Sequence, residues 1–117
     1  MEQFSLQSFV SKFCDPNLEE FSVYTEMDLE DQRTITLDVS RTKSDMLTPE
    51  EKVELERMLT YYCKTKNHTY KQGMNEILVP FLLLAREGIQ KHIIYTCFSK
   101  FIDMFISTLF KDDVIAT

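Results

Sequence analysis

Glycine and proline are scarce in this chain, with two glycines and three prolines among 117 residues. A β-sandwich or barrel needs a turn about every 8–12 residues, and such turns draw heavily on both residue types. Long uninterrupted segments are what remain, and those favour helices. Apolar residues make up 44% and charged residues 27%, a globular composition rather than a disordered one. The length suits a single domain with a core of useful size. The expected fold is all-α and bundle-like, with four to six helices.

The segments bear this out unevenly. Phe4, Leu6, Phe9, Val10 and Phe13 recur at near-helical spacing until Asp15-Pro16-Asn17 breaks the pattern. Between residues 28 and 42, Leu29, Ile35, Leu37 and Val39 fit a helix, but the alternation of Ile35, Leu37 and Val39 also fits a strand. On a helix Asp38 and Arg41 share a face, and on a strand they point to opposite faces. Thr48-Pro49-Glu50-Glu51 is a helix start: Thr48 caps, Pro49 loses nothing by lacking N–H, and Glu51 completes a capping box. From it a helix runs to about Lys66, with Val53, Leu55, Met58, Leu59 and Tyr62 as its buried stripe. A further helix is expected over residues 71–86, disturbed by Pro80 and ended by Gly88. The last, over residues 89–110, carries apolar residues over so wide an arc that it must be covered on more than one side. Phe98, Phe101 and Phe105 on it read as core.

Several classes of function are disfavoured. A net charge of −6 argues against a general nucleic-acid binder, which would present a basic face. Cys14, Cys63 and Cys97 are odd in number and far apart, which reads as a reduced, cytoplasmic setting. The spacing of Cys63 and His68 is too isolated for a zinc site. Asn67-His68-Thr69 spells a glycosylation acceptor with no signal peptide before it. The longest apolar run, residues 77–85, contains Pro80 and is too short to span a bilayer.

Two short segments carry the chemistry. Ile35-Thr-Leu-Asp38-Val-Ser-Arg41-Thr42 and Tyr70-Lys-Gln72-Gly73-Met74-Asn75-Glu76 each set one prominent polar side chain among residues suited to hold it. Arginine and glutamine do not titrate near neutral pH, so they make a poor acid–base pair. They suit phosphoryl transfer, where one group offsets charge and the other orients water. Asp38 lies one helical turn before Arg41 and can either pair with it or hold a nearby loop. Gly73 allows a close backbone approach, and Tyr70 and Asn75 can hydrogen-bond the loop that presents Gln72.

Taken together and in this order, the two segments resemble the paired signature motifs of the TBC domain, the all-helical activator of Rab-type small GTPases. The resemblance extends over about residues 28–105, including Ile94-Tyr-Thr-Cys-Phe98-Ser, which is similar to an aromatic-rich helix of that family. It implies that Arg41 is an arginine finger and Gln72 a glutamine finger, both entering the GTPase in trans, with Asp38, Thr42, Tyr70, Gly73 and Asn75 in support. It also implies a Rab-type GTPase partner, a role in vesicle trafficking, and a cytoplasmic place at the periphery of endomembranes. The chain would be an activator of the partner's own hydrolysis rather than an enzyme. GTP and magnesium would belong to the partner, so no cofactor is expected.

The family's domain is typically about twice as long, and its early arginine–tryptophan motif is missing here, since the chain has no tryptophan. The expectation is therefore a partial TBC domain spanning residues 1–117, without the family's C-terminal half. Its apolar last helix would then await another cover, with self-association as one way to supply it. A TBC-like scaffold that binds GTPases or other trafficking proteins without accelerating hydrolysis is the alternative reading.

Overall fold

The computed structural model describes residues 20–42 and 45–109, with side chains of the last helix described to residue 105. The apolar pattern of residues 1–14 lies outside them. Among the described residues all regular structure is helical: α1 Gln32–Arg41, α2 Pro49–Thr65, α3 Met74–Leu82, a 3-10 helix Leu83–Glu87, and α4 Lys91–Leu109. Residues 20–29 run without regular structure into α1.

The ambiguous stretch around Ile35 is a helix. Ile35 and Val39, four apart, are buried, while Leu37 between them is 43% exposed. Helical spacing thus decides what alternation left open. The helix is shorter than the pattern of residues 28–42 suggests, starting only after the turn at Glu30 and Asp31. Gln32 fastens it to α2, donating through Nε2 to Glu56 Oε2 at 2.8 Å and Thr60 Oγ1 at 3.0 Å.

The second helix starts as read from the sequence. Glu51 N–H donates to Thr48 Oγ1 at 3.1 Å, Thr48 N–H donates to Glu51 Oε1 at 2.9 Å, and Pro49 occupies the first turn. Its stripe needs one correction. Leu55, Met58, Leu59 and Tyr62 are buried, but Val53 is 48% exposed. Two residues before Leu55, it falls on nearly the opposite side of the helix.

The expected helix over residues 71–86 divides into three parts. Residues 71–73 form a turn, α3 follows, and after Leu82 the chain tightens into the 3-10 helix. Pro80 cannot donate the bond that would return to residue 76, and it sits on an exposed position where water can serve the freed carbonyl. Gly88, at φ 88°, closes the 3-10 segment, with Ile89 N–H donating to Leu84 O at 3.2 Å.

The helices α1, α2, α3 and α4 pack in order, α2 and α3 each lying between two neighbours. Met58, Leu59, Met74, Leu78 and Phe98 fill the space between them with no exposed surface. Along α4 burial is wide as far as Ile102, and Asp103, Met104 and Phe105 are exposed. Phe98 is core and Phe101 is partly buried, whereas Phe105 is 37% exposed, contrary to its core reading. Across the bundle Tyr62 donates to Asp103 Oδ1 at 2.9 Å, and Lys66 pairs with the same carboxylate at 2.9 Å.

Cys63 is a free, buried thiol. Cys97 is disulfide-bonded, which departs from the reading of three reduced cysteines: separation in sequence does not limit which sulfurs a fold brings within bonding distance. No helix of the described residues is long and apolar enough to cross a membrane.

Candidate functional site

The two motifs meet where the end of α1 faces the start of α3. The turn at residues 71–74 closes through Met74 N–H donating to Lys71 O at 3.1 Å. Gly73, third in that turn, has φ 107°, a left-handed value that a side chain resists. Here lies the observed reason for a glycine: the turn demands the conformation. Gln72 precedes it at the tip and is exposed.

Asn75 holds this turn to α1. Its Oδ1 accepts from Gly73 N–H at 3.1 Å. Its Nδ2 donates to Thr42 Oγ1 at 2.7 Å and reaches Asp38 O at 3.5 Å. Thr42 in turn donates through Oγ1 to Asp38 O at 2.6 Å. Since a backbone N–H can only donate, Gly73 fixes which end of the amide faces it, and Nδ2 is left facing α1. Asn75, Thr42 and Tyr70 are all buried, so the network works where water cannot substitute for a lost partner.

Tyr70 supplies the second link. Its hydroxyl donates to Asp38 Oδ2 at 2.8 Å and lies 3.3 Å from Asn75 Oδ1. Burial, and after it the hydrogen bond to Asp38, raises the Tyr70 phenol well above its ordinary value. It therefore stays a neutral donor to the carboxylate. Of the two roles open to Asp38, the structure displays the second: it holds the loop through Tyr70. Arg41 makes no ion pair with Asp38 or any other described residue.

Arg41, Gln72 and the supporting residues Asp38, Thr42, Gly73 and Asn75 line one open groove of about 410 Å³. Tyr70 is outside this lining and joins it through its hydroxyl on Asp38 and Asn75. All seven residues singled out from the sequence are thus brought together. Glu76 also lines the groove and is exposed. It belongs to the second motif, as the third residue of α3, and its place directly after Asn75 in that motif was the signal available in the sequence.

A larger cleft of about 750 Å³ opens between residues 20–24 and the α2 and α4 side chains Arg57 and Lys91. Both cations there are bound to one carboxylate, Glu54, with Lys91 Nζ at 3.1 Å. Neither of the two motifs reaches this cleft. No cluster of three or more His, Cys, Asp or Glu suited to a metal occurs among the described residues.

Among known proteins, no curated relative and no solved structure matches this chain. The family model of the Rab-GTPase-TBC domain matches residues 5–115, a span that takes in both motifs and every described helix. The chain belongs to the Rab-GTPase-TBC domain family.

Proposed function

We propose that this chain accelerates GTP hydrolysis by a Rab-type small GTPase, with Arg41 and Gln72 entering the partner's site in trans. The observation that supports this reading is one groove lined by both side chains, each carried by a different element and tied together through Asn75. Arg41 carries a charge at every relevant pH and a planar fork of donors. Set against the phosphates, it offsets the charge that develops during transfer. Gln72 accepts from the attacking water with its carbonyl and donates with its amide. Neither role requires a proton to leave the activator, so the chain needs no titrating group. Nucleotide and magnesium come with the GTPase. The place of action under this reading is the cytoplasm, at endomembranes where Rab-type partners direct vesicle traffic.

The test is single-turnover GTP hydrolysis by a panel of GTP-loaded Rab-type GTPases. Arg41→Ala is expected to remove about 10³-fold or more of the stimulation, which is roughly 4 kcal/mol of barrier. Arg41→Lys should fail to restore it, because lysine keeps the charge and loses the fork. Gln72→Ala should also depress the rate at saturating activator. Stimulation unchanged in Arg41→Ala and Gln72→Ala would end the finger assignment, and GTPase binding without stimulation would favour the scaffold reading.

A further inference from the structure

We propose that Leu37 is a docking residue for the GTPase: an apolar contact that seats on the partner's surface beside the phosphate end of its nucleotide. The proposal rests on the finger reading of Arg41. A single exposed leucine is ordinary, and its position is what separates this one. Leu37 is 43% exposed and lies one turn before Arg41 on α1. Four residues along a helix correspond to a rise of about 6 Å and a rotation of about 40°. Helical side chains also lean toward the N-terminus, over the preceding turn. Leu37 and Arg41 therefore leave α1 from neighbouring positions, Leu37 just outside the groove that Arg41 lines, so a partner that receives the guanidinium is brought up against the leucine.

The rest of the outward surface of α1 is polar. Arg33, Thr34, Thr36 and Ser40 are its other exposed residues before Arg41. Two of them are occupied within the chain: Thr36 donates to Gln32 O at 2.9 Å, and Ser40 donates to Leu37 O at 2.7 Å. Ile35 and Val39 account for the helix's attachment to the core, so Leu37 is not required there. An apolar body next to an inserted cation excludes water from it, and excluded water strengthens the cation's field at the phosphates. The partner chemistry that fits is an apolar patch within one helical turn of the site that receives the arginine.

Hydrolysis is measured as a function of activator concentration for the intact chain, Leu37→Gln, Leu37→Met and Arg41→Ala. Glutamine keeps length and helix propensity while removing the apolar body. Leu37→Gln is expected to raise the half-saturating concentration about 5- to 10-fold, with the rate at saturation within about twofold. Leu37→Met should bring the half-saturating concentration back to within about twofold. Binding to the GTPase loaded with GDP and aluminium fluoride should show the same weakening as faster dissociation. Thermal melts check that the Gln variant is folded. If Leu37→Gln saturates like the intact chain while Arg41→Ala is inactive, the docking role is wrong and the finger reading stands. If Arg41→Ala stimulates normally, the finger reading falls and the docking role falls with it.

Discussion

Asn75 is the residue on which the site turns. Both ends of its amide are in use, one toward the Gln72 turn and one toward the end of α1. Replacing its NH2 by oxygen tests this with almost no change in shape. Asn75→Asp leaves an acceptor facing Thr42 and the Asp38 carbonyl, and adds a buried negative charge near the Asp38 carboxylate. The expected cost is about 1–3 kcal/mol of stability in denaturant unfolding, together with loss of stimulated hydrolysis at saturating activator. A variant as stable and active as the parent would mean that the network does not support the fingers. At this scale the sequence was partly legible. The motif residues could be named because arginine, glutamine and glycine have distinctive chemistry. The partner of Asp38 could not, because pairing with Arg41 and pairing with Tyr70 are equally good local chemistry. Only the fold brings the phenol within 2.8 Å.

Among the elements, the start of α2 was the most legible boundary. Thr48, Pro49 and Glu51 announce α2 because a cap is a contact within four residues of chain. The boundaries of α1 and α3 moved inward from those expected, since turns closed by local hydrogen bonds precede both and the apolar spacing carries no sign of them. Glu51 then takes on a second task. Arg86 of the 3-10 helix donates to both of its oxygens at 2.7 Å and to Met46 O at 2.8 Å, fastening the connection after α1. The Arg86 guanidinium first, and the Thr48 N–H second, hold the Glu51 carboxyl down at about 2, from an ordinary 4.5. The folded form therefore binds this proton less readily than the unfolded chain. The resulting stability is fully present above about pH 4.5 and is lost as pH falls toward 2. Melting temperatures followed from pH 6 to pH 2.5 should decline less steeply in Glu51→Gln than in the parent. Parallel declines would show that the Arg86–Glu51 pair carries none of the acid sensitivity.

Over the whole molecule, the fold class was readable from the shortage of turn residues, and the membership of the core from helical spacing. The misplaced residues were Val53, which helical spacing puts on the far side of α2 from Leu55, and Phe105, which lies beyond Ile102, where the described core of α4 ends. Cys63 offers a measure of how the bundle holds together. It is 3% exposed, and burial, the leading cause, pushes its thiol up to about 11. A buried thiol with so little thiolate should react with iodoacetamide at neutral pH only when the bundle opens. Mass spectrometry of the labelled Cys63 peptide should therefore follow the global denaturant transition. Rapid labelling in native buffer would reveal a local opening between α1 and α2 that precedes unfolding.

The left-handed Gly73 and the saturated amide of Asn75 have a consequence for encounter with a partner. A turn already held in its required backbone shape has little conformational entropy left to lose. The ordering is complete before the two proteins meet, as part of folding itself. On the proposed finger reading, docking would then freeze mainly the outer torsions of Arg41, Gln72 and the neighbouring Leu37 rather than a loop. Recognition by this face, as proposed, would be closer to a key entering a lock than to a strand folding around its target. Changes in its strength should arise from how long the complex lasts.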